Sequence, residues 1–146
     1  MPKAHWHAIR RELIKSSLEW AAAFGLTPAI IGELGEVDAA YLLSKSPKMA
    51  KNILLARTPR QKGYDLLIDH QRIQVKATRS SGLPGSTITR IQKPRNDMWD
   101  LIVWINYNRD FHLQEAWLWT RRAYLKKFSQ SHRISPEEFR KGKRLK

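Results

Sequence analysis

The sequence contains no cysteine, which excludes disulfide bonds and cysteine-ligated zinc or iron–sulfur sites. No apolar run approaches the ~18–20 residues of a membrane-spanning helix. The N-terminal segment is rich in tryptophan, histidine and arginine and has no apolar signal segment. These absences favour a cytoplasmic protein that is not attached to a membrane. The sequence shows no internal repeat, and its 146 residues suit one domain with a real hydrophobic core.

Acidic residues are scarce in this chain. There are 13 of them against 27 lysines and arginines, which gives a net charge of +14. Such an excess favours a polyanionic partner, most often DNA or RNA, although a ribosome-associated protein or a surface kept basic for solubility would share it. From Ser44 to Arg95 there are twelve basic residues and only two acids, Asp65 and Asp69. Acids retained in so basic a segment suggest a specific function.

Hydrophobic periodicity predicts an α/β domain over residues 1–146, with a mixed sheet flanked by helices. The predicted helices are 6–24, one that starts at Thr27 and Pro28, a short one at 48–55, 121–128, and one capped by Ser135. The predicted strands are 63–69, 72–78, 100–106 and 115–120, with a short strand near 87–91 inside a long loop, 79–97. Asp69 and His70 are assigned to the turn between the first two strands. Residues 140–146 are expected to form a basic tail without fixed structure.

The first two strands bring together an acid, an amide and a lysine. Strand side chains alternate between faces, so Gln74 and Lys76 share one face, and Asp65 on the paired strand can reach the same place. Mg²⁺ prefers oxygen ligands, which Asp65, the Gln74 amide and the Val75 backbone carbonyl could supply. Lys76 would then neutralise developing charge or hold an attacking water. The alternative is ordinary: glutamine and lysine often occupy the solvated face of a half-buried strand.

Residues 29–78 resemble the PD-(D/E)XK nuclease superfamily, and most closely its branch of small bacterial group I intron homing endonucleases. The resemblance covers about a third of the chain and rests on these motifs: Gly32-Glu-Leu-Gly-Glu36 with Ala39-Ala40 and Leu42, then Tyr64-Asp-Leu-Leu-Ile68, then Ile73-Gln-Val-Lys-Ala-Thr78. It implies a restriction-endonuclease-like fold with an αβββαβ core.

The resemblance also implies a role for each matching residue. Asp65 would be the principal metal ligand, and Glu36 on the helix would bind the metal directly or through water. Gln74 takes the position of the second acid, and Lys76 that of the catalytic lysine. Glu33 would be a helper, although a solvated helix residue paired with a nearby basic group explains it as well. The metal would be Mg²⁺, and Mn²⁺ is expected to substitute.

Two departures from the superfamily pattern accompany these roles. The second carboxylate is replaced by Gln74, which binds metal more weakly and leaves the site less negative, and the close branch shares this replacement. The proline that names the motif is absent before Asp65, where Gly63-Tyr64 stands.

The resulting hypothesis is a Mg²⁺-dependent endonuclease that hydrolyses phosphodiester bonds of double-stranded DNA, with homing as its biology. A double-strand cut implies a homodimer or homotetramer, and the protein would act in the cytoplasm or on the nucleoid. The alternatives are a restriction or Holliday-junction nuclease, an inactive nucleic-acid-binding protein of the same fold, and an RNA-binding protein. Arginine and lysine side chains contact phosphates or read base edges, and the residues expected to do so are Arg60, Lys62, Arg79, Arg90, Lys93 and Arg95.

Overall fold

A computed structural model describes residues 3–59, 61–80 and 88–146. Within those residues the chain forms an α/β structure with a five-stranded mixed sheet. The helices are α1 (Lys3–Phe24), α2 (Ile31–Ser44), α3 (Pro47–Leu55), α4 (Arg121–Phe128) and α5 (Pro136–Phe139). The strands are β1 (Leu66–Ile68), β2 (Gln71–Arg79), β3 (Leu101–Tyr107), β4 (Leu113–Thr120) and β5 (Lys143–Arg144). The prediction of a mixed sheet flanked by helices is confirmed.

The strands lie in the order β1-β2-β3-β4-β5. Strands β2 and β3 are parallel, with Val75 paired to Val103, and the other neighbours are antiparallel. Strand β3 is central and reads as an apolar run because both of its faces are covered. The parallel pair requires a long connection between β2 and β3, which the segment between them provides.

Each face of the sheet has its own apolar core. On one face α2 and α3 cover the sheet around Leu34, Leu66 and Ile105. On the other face α4 and α5 cover it around Trp99, Trp104 and other aromatic residues. This second core also contains Ile91 and Ile134, which form an isolated bridge. Lys76 and Gln74 point to the second face, because their partners in β3, Trp104 and Ile102, belong to that core.

Local sequence signals place several element ends correctly. Ser46, Thr120 and Ser135 cap α3, α4 and α5 by accepting a hydrogen bond from a backbone N–H three residues on. Gly25 follows the end of α1 with a φ of 89°, as a helix stop requires. The predicted turn is also confirmed, since Asp69 and His70 join β1 to β2.

Several elements differ from the sequence expectation, among them α2, β1 and the basic tail. Helix α2 starts at Ile31 rather than at Thr27, because Ile30 N–H bonds to the Pro28 carbonyl in a local turn before the helix. Strand β1 is limited to Leu66–Ile68. The basic tail is not free, because Lys143–Arg144 pairs with Leu118 and Trp117 of β4 as strand β5. The predicted short strand near 87–91 is not a strand in its described residues, 88–91, because only Ile91 pairs, in an isolated bridge with Ile134; residue 87 lies outside the described residues.

The exposed surface carries one further apolar feature. Ile9, Leu13, Trp20 and Phe24 recur along α1 and are all exposed.

In the described part of the chain, no helix is both long and apolar enough to cross a membrane.

Candidate active site

Asp65 is fixed against β2 by its own backbone and side chain. Its N–H donates to the Ile73 carbonyl at 2.8 Å. Its Oδ2 accepts from Val75 N–H at 2.7 Å and from Gln74 Nε2 at 3.0 Å. Among the described residues, no hydrogen bond to Oδ1 of Asp65 is present. The carboxylate is therefore held in place through one oxygen and keeps the other for a further partner.

The backbone of Val75 faces the same place. The N–H and C=O of a strand residue point to the same side of the strand, and Val75 N–H points to Asp65. Strand β1 pairs with β2 only over residues 71–73, so the Val75 peptide group lies beyond the end of that pairing. Its carbonyl projects towards Asp65, which is where the sequence hypothesis places a metal ligand.

Lys76 lies on the same face of β2 as Gln74, as predicted from strand alternation. It is half-buried, and burial lowers the pKa of its ammonium; the charge of Asp65 opposes this shift and that of Arg95 adds to it. Thr78, the next residue on this face, donates to Asn106 Oδ1 and accepts from Trp104 Nε1, each at 2.9 Å. The Thr78 hydroxyl is therefore occupied by hydrogen bonds within the protein. Gln74 and Lys76 are the polar residues of this face that lie beside Asp65.

Glu36 reaches this region because α2 lies directly on β2. Gly35, the preceding residue, contacts Val75 and Ala77 with no side chain between the helix and the strand. Burial raises the pKa of Glu36, a hydrogen bond from Arg57 opposes the shift, and the charge of Asp65 raises the pKa further. Two carboxylates, Glu36 of α2 and Asp65 just before β1, thus line the same cavity.

The environment of Asp65 favours a neighbouring cation. Burial raises the pKa of Asp65, while the Val75 hydrogen bond and the charges of Lys76 and Arg57 lower it. A hard divalent cation prefers carboxylate, amide and carbonyl oxygens, and Asp65, Glu36, Gln74 and Val75 present this donor set. The residues therefore fit Mg²⁺ or Mn²⁺. In the described residues, no group of three histidine, cysteine, aspartate or glutamate side chains is gathered for metal binding, so the amide and backbone oxygens are part of the hypothesis.

Arg57 is the residue that sequence reasoning did not place in the site. Its Nη1 lies 2.9 Å from Glu36 Oε1, and its Nη2 lies 2.8 Å from Glu33 Oε1. All three residues line a cavity of about 390 Å³ together with Asp65 and Tyr64. Arg57 appears in the sequence as one of several cations in the connection after α2, and no spacing signal links it to a helix more than twenty residues earlier.

Glu33 takes the simpler of its two predicted roles. Its side chain is about half exposed and pairs with Arg57. It also lines the cavity. The structure thus favours a charge partner for Arg57 over direct participation with Asp65.

The predicted DNA-binding residues fall into two groups. Arg95 is exposed and close enough to Lys76 to influence its pKa. Arg90 is exposed and lines a basic cavity of about 450 Å³ with His132 and Arg133. Lys62 is exposed and lines another cavity. Arg57 and Tyr64 line both this cavity and the one that Asp65 lines. These side chains are available to a polyanion on the side of the sheet that carries Lys76 or next to Asp65.

The other predicted cations are engaged or lie elsewhere. Arg79 follows the opposite face of β2, donates to the Arg109 carbonyl and lies 4.1 Å from the Phe111 ring centroid. Lys93 donates to the carbonyls of Phe128 and Ser131. Arg60 lies outside the described residues. The structure therefore does not bring Arg79 to the site, and it gives Lys93 a structural use.

Comparison with models of protein families and with curated protein sequences gives no match for this chain. The functional assignment consequently depends on the chemistry of the residues gathered around Asp65.

Proposed function

We propose that this protein is a divalent-metal-dependent endonuclease of double-stranded DNA with a PD-(D/E)XK-like active site. The observation that carries the proposal is the double hydrogen bonding of Asp65 Oδ2 by Val75 N–H and Gln74 Nε2. It fixes the acid beside Lys76 and Glu36 and leaves its second oxygen for a cation. The net charge of +14 makes DNA the natural polyanionic substrate.

The residues divide the work of hydrolysis among them. Asp65, Glu36, the Gln74 amide and the Val75 carbonyl would hold Mg²⁺, which when bound stabilises negative charge on the phosphate and the leaving oxygen. Lys76 donates hydrogen bonds to the attacking water or to a phosphate oxygen. The water oxygen forms a bond to phosphorus as the bond from phosphorus to the 3′ oxygen breaks. The attacking water gives up a proton to solvent, and the 3′ oxygen takes up a proton from solvent, which gives 5′-phosphate and 3′-hydroxyl ends.

The DNA path follows from the exposed cations. Arg95 and Arg90 lie on the side of β2 that carries Lys76, and Lys62 lines a cavity with Arg57 and Tyr64. Phosphate contacts by such side chains position a duplex without reading its sequence. One site cuts one strand, so the proposal includes a homodimer or homotetramer for a double-strand cut, and homing is the biology that the motif resemblance favours.

The proposal is tested with a plasmid library of random inserts, incubated with protein in Mg²⁺ or in EDTA. Sequencing of the new ends maps any cleavage site. We expect metal-dependent cleavage that falls on the order of 100-fold or more in Asp65→Asn and in Lys76→Met. Asp69→Asn is the matched control, because it removes the other acid of the basic segment from an exposed turn and should cleave as wild type does. DNA binding without cleavage in Mg²⁺ and in Mn²⁺ would overturn the proposal.

A second candidate is a nucleic-acid-binding protein that keeps the fold without the chemistry. The observation in its favour is that an amide, Gln74, occupies the position of the second acid and itself holds Asp65. This candidate predicts that EDTA and Asp65→Asn leave DNA affinity unchanged. A preference for structured RNA over duplex DNA in the same assay would instead identify RNA as the partner.

A further inference from the structure

Arg57 holds two carboxylates of α2 at once. Its guanidinium donates to both oxygens of Glu33 and to Oε1 of Glu36, while its Nε donates to the Leu54 carbonyl at 3.0 Å. The Nε contact anchors the guanidinium at the end of α3, and the two terminal nitrogens reach across to α2. One residue thereby offsets part of the negative charge of two acids that line the cavity at the candidate site.

Two cations compete for the Glu36 carboxylate: the proposed metal ion and the Arg57 guanidinium. It is the helix ligand of the proposed metal site, and its charge interacts with that of Asp65. It is also the carboxylate that Arg57 binds at 2.9 Å. A carboxylate committed to a guanidinium is a weaker ligand for Mg²⁺, so occupation by the metal favours release of Glu36 from Arg57.

We propose that Arg57 is a phosphate-responsive latch: without DNA it holds Glu33 and Glu36, and on DNA binding it turns to a backbone phosphate and releases Glu36 to the metal. This inference rests on the proposed nuclease function. It makes metal binding and DNA binding mutually reinforcing, and it couples a phosphate contact of Arg57 to the metal ligand Glu36, which the motif does not indicate.

The exchange is energetically accessible. The Arg57 side chain is 27% exposed, that of Glu33 is 55% exposed and that of Glu36 is 24% exposed, so solvent reaches both ion pairs and weakens them. A phosphate, like a carboxylate, can accept two parallel hydrogen bonds from a guanidinium, and it carries a full negative charge. The cavity around Arg57 is also lined by Thr58, Gln61 and Tyr64, so a phosphate that enters it meets further polar groups.

The test measures Mn²⁺ binding from the paramagnetic resonance signal of free Mn²⁺, using the full chain with and without a mixed-sequence DNA duplex that a gel shows to remain intact. We expect Arg57→Ala to bind Mn²⁺ about three- to tenfold more tightly than wild type without DNA. DNA should tighten Mn²⁺ binding in wild type and do so much less in Arg57→Ala. Affinity of Arg57→Ala for the duplex in EDTA should fall.

Two further variants separate a latch from a simple change of charge. Arg72→Ala removes the same charge from an ion pair with Asp100 at the start of β2, makes no contact with Glu33 or Glu36, and should leave the coupling between Mn²⁺ and DNA intact. Arg57→Lys keeps the charge but cannot bind both carboxylates in a fork, so its coupling should be intermediate; it also serves if Arg57→Ala fails to fold.

The outcomes distinguish the two proposals. If wild type binds Mn²⁺ but Arg57→Ala and Arg57→Lys show the wild-type affinity and coupling, the latch is wrong and the metal site stands. If wild type binds no Mn²⁺ with or without the duplex, both the metal site and the latch are wrong.

Discussion

Gly35 in α2 lies so close to Ala77 in β2 that a Cβ atom on Gly35 would be 2.8 Å from the Cβ of Ala77. Real Cβ atoms do not approach each other so closely, so the helix rests on the strand only because residue 35 has no side chain. Glu36 is the next residue in the helix, and its approach to Asp65 depends on this contact. A second helix glycine, Gly32, has open space where its Cβ would be.

The two glycines predict opposite effects of the same substitution. Alanine is favoured over glycine inside a helix by about 0.5–1 kcal/mol, so Gly32→Ala should raise the free energy of unfolding by that amount. Gly35→Ala gains the same propensity but forces α2 away from β2, and we expect a net loss of about 1–3 kcal/mol. Urea denaturation measures both values. Equal stability of the two variants would show that α2 does not lie on β2 as described.

The hairpin between β1 and β2 offers a second test. Asp69 and His70 both have positive φ, 49° and 67°, as the two central residues of a type I′ turn do. The double variant Asp69→Asn with His70→Gly supplies the residues that this turn prefers and should stabilise the protein by about 0.5–1 kcal/mol. His70→Val, with a branched side chain at positive φ, should destabilise it. Thermal denaturation of the three proteins gives the comparison, and a stabilising valine would contradict the turn geometry.

Acid stability depends on Glu115 in β4. Hydrogen bonds from Arg140, and further ones from Trp117 and Asn106, lower the pKa of Glu115 from 4.5 to about 2 against the effect of burial. A lowered folded pKa means that the ionised acid stabilises the fold above about pH 4.5, and that this contribution disappears as the pH falls through 2. Arg140 is partly exposed, so we expect a contribution of about 2 kcal/mol at neutral pH.

The measurement is the free energy of unfolding of wild type and Glu115→Gln between neutral pH and pH 2. The variant should be less stable at neutral pH and should lose less stability on acidification, so that the two curves converge at low pH. Glu137→Gln, which removes an exposed acid of α5, is the control and should follow wild type. Parallel curves for wild type and Glu115→Gln would contradict the assigned role.

Local patterns predicted much of the fold. Cap residues such as Ser135, the strand alternation around Gln74 and Lys76, and the two-residue turn at Asp69 depend on neighbours along the chain, so the sequence alone contains the signal. Tertiary contacts decided the rest. The short β5 depends on pairing with β4, whose position the basic composition of residues 140–146 does not reveal.

In the candidate site, too, some contacts follow from local sequence patterns and others depend on tertiary packing. Asp65 directly precedes β1, and Gln74 and Lys76 lie in β2, which pairs with β1 through a two-residue turn, so their proximity was predictable. The engagement of Arg57 with Glu33 and Glu36 depends on how α3 packs beside α2, and that packing has no short-range signature. Lys93 also has contacts that no local pattern indicates: its place in a basic loop predicted DNA contact, and in the structure its ammonium donates to the carbonyls of Phe128 and Ser131.

Gln74 is the position where metal affinity can be tuned directly. Its Nε2 donates to Asp65 Oδ2 at 3.0 Å. Gln74→Glu removes that hydrogen bond and sets a second carboxylate against Asp65, so in EDTA the protein should lose about 1–2 kcal/mol of stability. A divalent cation gains a charged ligand in place of a neutral amide, and Mn²⁺ should bind about tenfold more tightly than to wild type. Thermal denaturation in EDTA and in Mn²⁺, with calorimetric titration of Mn²⁺, measures both effects.

The two effects of Gln74→Glu have opposite signs because the same carboxylate repels Asp65 in the absence of a cation and shares a cation with it otherwise. Gln74→Met separates them, since it loses the hydrogen bond without adding charge. It should be destabilised less than Gln74→Glu in EDTA and should bind Mn²⁺ more weakly than wild type. Mn²⁺ should raise the stability of Gln74→Glu by more than it raises that of wild type. If it does not, the Gln74 side chain does not face the metal, and the donor set reduces to Asp65, Glu36 and the Val75 carbonyl.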